Sequence, residues 1–421
     1  MFKNRLFANI AYMLMWQAGN YLIPLLTFPY LTRTLGVRGF GEFSFAFAIA
    51  AYISLVTDWG FALGATGEVA RHREDHAKVT TIFWDVLTAK ILLVTLCLVV
   101  LGIATLTIAP ARAMAPALFA ATLGVVAAAL TANWCLQGLE RLGSFALAAT
   151  IGKMLTVPAI LLLVHTPDDA WLAILIQSLG SGVAAVASIV LLRRLRVIGR
   201  ISISMAGALD QIRKGWHLFL SSAAVNIYTS TNAVVVGVIG GPPGIAIYAA
   251  ADRLRTAAQG VVSPISQAIY PHSNRLIAED RSAGLAFGRK LLLIQGGVTA
   301  IISLALLIGA PVLIPLLAGP AFSPAILVLQ LMSPLPFLVG VSNVLGIQMM
   351  LPMQMQAQFS GILTRAAILN VAVVLPLTWF FGAKGTAGGS VLAEIYVTGA
   401  MLAALRAQGF NVFAAKVRYG I

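Results

Sequence analysis

Charge is what this chain has least of. Only 10% of its 421 residues are Asp, Glu, Lys or Arg, whereas a water-soluble globule carries about 25%, so the chain has too little polar surface to be one. The negative sign is scarcer still: 14 Asp and Glu stand against 28 Lys and Arg, a formal net charge of +14. Cysteine is nearly absent. Cys97 and Cys135 both fall inside apolar runs, outside any CxxC or Cys-His cluster with metal spacing, which excludes a disulfide framework and reads as two small hydrophobes. The five histidines are scattered, so no Ser/His/Asp arrangement and no paired haem ligands can be assembled, and both the phosphate-binding loop motif and the HExxH zinc helix are missing. No catalytic centre, metal or cofactor is expected.

What the chain has is length in apolar runs: 59% of its residues are hydrophobic. A bilayer core of about 30 Å needs about 20 such residues in a helix. Twelve stretches qualify, near 7–32, 43–67, 80–108, 115–138, 145–165, 171–192, 216–240, 245–271, 290–317, 324–350, 359–381 and 386–405. The first runs from the basic Met1–Arg5 segment to Leu31, too long for a signal-peptide core and without a small-residue cleavage site, so it reads as a retained span. Most Lys and Arg lie on alternate connections, the positive-inside pattern of a multi-pass membrane protein. An even count puts both termini on one side, and Lys3, Arg5, Arg406, Lys416 and Arg418 make that side cytoplasmic. The basic excess therefore reads as orientation and contact with anionic headgroups, not as nucleic-acid binding. The connections are too short for a soluble catalytic or ATP-binding domain.

The longest connection falls near the midpoint, giving an expected plan of a six-helix lobe at 1–192, a basic cytoplasmic linker at 193–215 and a second six-helix lobe at 216–421. Asn20, the Gly36–Gly41 turn, Phe45 and Lys90 are echoed by Asn226, the Gly240–Gly244 turn, Tyr248 and Lys290. Such an internal repeat fits two lobes related by an axis along the membrane normal.

A charge at membrane depth costs about 2.5–3.5 kcal/mol even on the lenient insertion scale, and it marks a polar cavity or substrate path. Lys90 and Lys290 begin long apolar runs and are expected to snorkel to the surface, and Glu68 is expected to pair with Arg71 at a helix end. Asp58, Lys153, Asp252, Arg253, Arg255, Arg365 and Glu394 remain at depth. Asp252 and Arg255, spaced i,i+3, can neutralise each other on one face. Arg253 points about 100° away, either to an anionic ligand or to a carboxylate such as Asp58 or Glu394. A guanidinium suits phosphate because its planar fork donates two parallel hydrogen bonds. Asn226, Thr229 and Asn232 share a helical face with Tyr228 beside it, and Asn20 and Tyr21 are their counterparts on the first span. Lys153, ahead of Pro158, lines a cavity or pairs with an acid.

Particular strings then become recognisable. Pro29 to Gly36 with Gly39-Phe40-Gly41, Asp58-Trp59-Gly60-Phe61, Ala65 to Ala70, Asn133 to Arg141, Tyr248 to Leu254, Ser263 to Gln267, Tyr270-Pro271 and Gly382 to Glu394 occur in order along nearly the whole chain. Together they resemble the bacterial O-antigen and exopolysaccharide flippases of the multidrug/oligosaccharidyl-lipid/polysaccharide exporter superfamily. The chain departs at Gly67, where such proteins commonly carry an arginine. The resemblance implies an all-α, V-shaped bundle like that of multidrug exporters, with helices 1, 2, 7 and 8 lining the cavity. It also implies an undecaprenyl-diphosphate-linked oligosaccharide as substrate and the bacterial inner membrane as location. Membrane lipids, and with them polysaccharide polymerase and chain-length machinery, are the implied partners. On that reading Arg253 and Arg255 take the diphosphate, Asn226, Tyr228, Asn232, Asn20 and Lys153 contact the substrate, and Arg33 and Arg38 guide release outside. Asp58, Asp252 or Glu394 couple the cycle to an ion. The rival readings are a cation-coupled drug exporter of the same fold, which predicts an acidic or aromatic cavity, and a membrane glycan polymerase, which needs a larger external loop.

Overall fold

A computed structural model describes residues 2–199, 201–260 and 262–410; the side chains of 2–18, 20–22, 221, 224, 225, 227–229, 262–265, 267, 268 and 271 stand outside that description. Among the described residues the regular structure is entirely helical. A chain surrounded by lipid must satisfy its backbone groups within each segment, and helices do so. The chain forms α1 (Phe2–Asp58), α2 (Phe61–Arg71), α3 (His76–Thr107), α4 (Ala109–Ala113), α5 (Ala115–Leu130), α6 (Asn133–Gly138), α7 (Gly143–Leu163) and α8 (Ala170–Arg194). It continues as α9 (Met205–Gly260), α10 (Val262–Glu279), α11 (Arg281–Leu317), α12 (Ala325–Met332), α13 (Leu335–Asn343), a π-helical turn at Val344–Met350, α14 (Gln356–Phe381) and α15 (Ala383–Ala407). These helices are apolar on every side: in α3, Val86 is sealed inside while Leu96 and Leu106 face outward. An outward leucine row is what acyl chains require.

Ten segments among the described residues are long and apolar enough to cross a membrane, where the sequence predicts twelve. The difference sits at two glycines. Ile23–Arg71 runs through Gly36 and Ser230–Gly260 runs through Gly241, so each counts once where two spans are expected. Gly36 has φ 63° and ψ −172°, and Gly241 has φ 61° and ψ −168°. Only glycine occupies that region without strain, and the two kinks are the same kink. The echo read between Gly36–Gly41 and Gly240–Gly244 is thus a repeated backbone conformation.

The chain divides into two compact units, Met1–Asn226 and Ile227–Ile421. In the first, α5 packs on α8 and α1, α7 packs on α8 and α1, and α2 packs on α6; Phe83, Trp134, Leu136 and Phe145 anchor its core. In the second, α14 pairs with α15, while α11 packs on α10, α12 and α13. Val344, Met349, Met350 and Met401 centre the second core, where flexible thioethers fit the irregular space beside a π turn.

The expected connection 193–215 is half helix. Its second part opens α9 and is docked on the first unit. The anchor is the Asp58-Trp59-Gly60 corner, where Trp59 (φ 42°) and Gly60 (φ 79°) both adopt left-handed backbone and break the helix. Trp59 Nε1 donates to the Ile212 carbonyl at 2.9 Å, and its ring stacks on Phe219 at 4.0 Å. A Cβ on Gly60 would lie 2.6 Å from Leu218 Cβ, so a side chain there would push α9 off.

Two sequence expectations fail in this unit. Lys90 does not snorkel: it is 4% exposed and its Nζ donates to Asp58 Oδ1 at 3.2 Å. The carboxylate at the end of α1 offers a stronger interaction than the headgroup region, and it lies on the inner side of α3. Glu68 does not turn to Arg71. It accepts from Gln211 Nε2 at 3.2 Å and stands 3.9 Å from Lys214, because the docked start of α9 presents those residues to it. Asp210, at 2.7 Å, holds the Lys214 ammonium above the ordinary lysine range.

Candidate functional site

The second unit gathers three of the expected residues into one polar network. Asn232, on the first limb of α9, is 5% exposed; its Nδ2 donates to Ser390 Oγ at 2.8 Å and its Oδ1 accepts from Asn370 Nδ2 at 2.9 Å. The Tyr248 hydroxyl joins Asn232 and Ser390 and lies within electrostatic reach of Asp252 and Arg255. Tyr248 stands on the second limb of the same helix, past the kink at Gly241.

Arg255 is held by its own helix. Its Nε donates to Asp252 Oδ1 at 2.8 Å, Nη1 to Gln259 Oε1 at 2.7 Å and Nη2 to Thr256 Oγ1 at 3.0 Å. The i,i+3 pairing expected with Asp252 forms, at 2.7 Å. A guanidinium has five N–H donors, so this grip orients the fork and leaves part of it for a further acceptor. Arg253, two residues earlier, is half-buried and lies on another side of the helix. It stands about twelve residues, or about 18 Å, past the kink. The two carboxylates named as its alternatives are engaged elsewhere: Asp58 with Lys90 and Glu394 with Ser342, whose Oγ donates to Glu394 Oε1 at 2.6 Å.

The other expected residues are dispersed. Glu394, 3% exposed, sits on α15 beside α13. Asn226 Nδ2 donates to the Ser222 carbonyl of its own helix at 3.0 Å. Arg33 is exposed at the end of the first limb of α1, and Arg38 pairs with Glu42 at 3.3 Å. Arg365 is exposed on α14. Lys153 lines a cavity within the first unit. The side chains of Asn20, Tyr21, Tyr228 and Thr229, with Lys416 and Arg418, lie outside the described residues.

Asn370 and Ser390 escaped the sequence reading. Asn370 is a lone amide inside an apolar run and is fully buried, the same signal that marked Asn232. Ser390 follows two glycines, a context with no polar signal of its own. The polar string Gln177, Ser178 and Ser181 lies in α8, where Ser178 Oγ donates to the Ala120 carbonyl of α5 at 2.8 Å.

Comparison with known proteins places this geometry. The profile of the family described as polysaccharide biosynthesis protein matches residues 6–277. A curated Escherichia coli (strain K12) protein, provisionally named an O-antigen transporter, is 34% identical over 398 residues, covering 94% of this chain and 96% of that one. Among solved structures, the lipid II flippase MurJ in an inward closed conformation superposes with a TM-score of 0.68 at 12% identity, covering 94% of this chain and 87% of that one. An inward-facing multidrug resistance MATE family transporter superposes at 0.60 with 16% identity, covering 92% and 96%. At such identities the structural likeness establishes the fold, an all-α bundle of the kind found in MurJ and MATE transporters.

Proposed function

Because this chain belongs to the polysaccharide biosynthesis protein family, we propose that this multi-pass membrane transport protein, which is not an enzyme, flips lipid-linked oligosaccharide units across the bacterial inner membrane. The substrate is an undecaprenyl-diphosphate carrying a short glycan, and both termini lie in the cytoplasm. The observation that carries the reading is the Arg253/Arg255 pair on the second limb of α9. Two guanidinium groups at membrane depth, one of them clamped by Asp252, Gln259 and Thr256, suit a diphosphate that must leave the headgroup region. The clamp fixes the fork of Arg255 in advance, so less rotamer freedom is lost on binding. Arg253 supplies the second positive charge.

Asn232 and Tyr248, both buried, back the partly exposed Ser390, which with Asn226, Tyr228 and Asn20 contacts the sugar. The polyprenyl tail stays in lipid while headgroup and glycan cross by alternating exposure to the two faces, and Arg33 and Arg38 meet the product outside. Asp252 reports ligand charge through its bond to Arg255, which makes it a better coupling group than Asp58, already paired to Lys90. Polymerase and chain-length machinery receive the exported unit.

The test is binding of undecaprenyl diphosphate to the purified protein in nanodiscs. Arg253→Gln and Arg255→Gln are each expected to weaken it by at least tenfold, and the matching lysine variants to retain part of it. Wild-type affinity in both Gln variants would overturn the assignment, and binding of cationic dyes in their place would favour a drug exporter.

A further inference from the structure

The first unit contains a cavity of about 320 Å³ between α1, α5, α7 and α8. Lys153 enters it from α7, ten residues past Gly143, or about 15 Å along a helix that spans the membrane. Among the described residues the lining includes no carboxylate, and Lys153 is its charged side chain. The remaining polar wall consists of Thr27, Ser54, Thr156, Gln177, Ser178 and Ser181.

Four of the five hydroxyls of that wall share one property. Thr27 donates to the Pro24 carbonyl at 3.2 Å, Thr156 to Lys153 at 2.6 Å, Ser178 to Ala120 at 2.8 Å and Ser181 to Gln177 at 3.4 Å. A hydroxyl has one proton to donate. With that proton committed to the backbone, each of these oxygens can meet a guest only as an acceptor. A wall of acceptors with one amide and one ammonium is complementary to a guest rich in O–H donors that carries a single negative charge.

Resting on the flippase reading above, we infer that this intralobe cavity binds one ring of the glycan, a pyranose bearing a carboxylate, with Lys153 as the carboxylate's partner. The volume corresponds to about ten waters at about 30 Å³ each, room for one sugar ring and not for an oligosaccharide. One ammonium balances one carboxylate, whereas a phosphate brings a charge of about −1.5 to −2.

The probes are free glucuronate, glucose, acetate and inorganic phosphate, each titrated by saturation-transfer NMR into the full-length protein in nanodiscs. Saturable glucuronate binding is expected in the millimolar range, tighter than glucose, and resisting competition by acetate or phosphate at equal concentration. Lys153→Met should weaken glucuronate by roughly tenfold while changing glucose little, and Lys153→Arg should keep most of the affinity. Ala51→Leu, which puts a larger side chain on the cavity lining and retains Lys153, should weaken both sugars. Glucuronate binding no better than glucose, or unchanged by Ala51→Leu, would overturn the site even if Lys153→Met failed to fold. Equal competition by phosphate or acetate would reduce it to a simple anion site and overturn the sugar assignment. Undecaprenyl diphosphate binding in the same samples separates the outcomes, because its loss in the arginine variants is independent of this cavity.

Discussion

Lys90 illustrates how position along a span misleads when the partner comes from another helix. Its place at the start of an apolar run predicts a lysine reaching for headgroups, yet its ammonium is sealed against Asp58. Neither residue announces the other in the sequence, since 32 positions separate them. The two ends of the bridge differ: the Lys90 side chain is 5% exposed and that of Asp58 is 42% exposed. Removing Asp58 strands a buried ammonium, whereas removing Lys90 leaves a carboxylate that water reaches. Asp58→Ala should therefore destabilise the protein more than Lys90→Met, by about 3 kcal/mol against about 1, with the double variant recovering part of the loss. Thermal unfolding of the detergent-solubilised protein checks this, and equal losses would contradict the asymmetry. Asn370, fully buried with its amide on Asn232, should lose about 1–3 kcal/mol on replacement by Ala. Arg255 and Asp252 were legible because they share one helix turn; Asn370 and Ser390 were not, because their roles depend on a helix that folds beside them from more than 100 residues away.

At the scale of elements, the corner at Asp58-Trp59-Gly60 explains a string that sequence alone marked only by resemblance. Gly60 combines a left-handed backbone with a close approach to Leu218, so Gly60→Ala should cost about 2 kcal/mol or more and loosen the start of α9. Faster hydrogen exchange of 205–220 in that variant is the expected signature. Gly67, about two helix turns further on, is the opposite case. A Cβ there meets nothing within 4 Å and the position is exposed, so Gly67→Arg, the residue expected from the resemblance, should be accommodated and add about 0.5–1 kcal/mol through helix propensity. A drop in melting temperature would show that the glycine has a packing role. The spans themselves were legible from apolar length. Their joins were legible in part: the glycines at 36–41 and 240–244 marked the turns, but hydropathy does not reveal that Gly36 and Gly241 bend the chain while helix continues on both sides.

At the scale of the molecule, the repeated kink and the separate cationic features suggest a division of labour. The second unit holds the arginine pair and the Asn232–Ser390–Tyr248 network; the first holds the Lys153 cavity. Composition and charge sorting sufficed for the membrane class, and ordered motifs for the family. The cavity stayed hidden because its wall is assembled from four helices whose hydroxyls are individually unremarkable. The central claim is that the guanidinium groups of the second limb of α9 carry the diphosphate. The most direct measurement is surface polysaccharide in a cell whose own flippase gene is deleted and replaced by this chain, at matched membrane levels. The account predicts restoration by the unaltered protein and loss in the Arg253→Gln/Arg255→Gln double variant, with lipid-linked repeat units accumulating on the cytoplasmic face. Undiminished polysaccharide from the well-inserted double variant would contradict it.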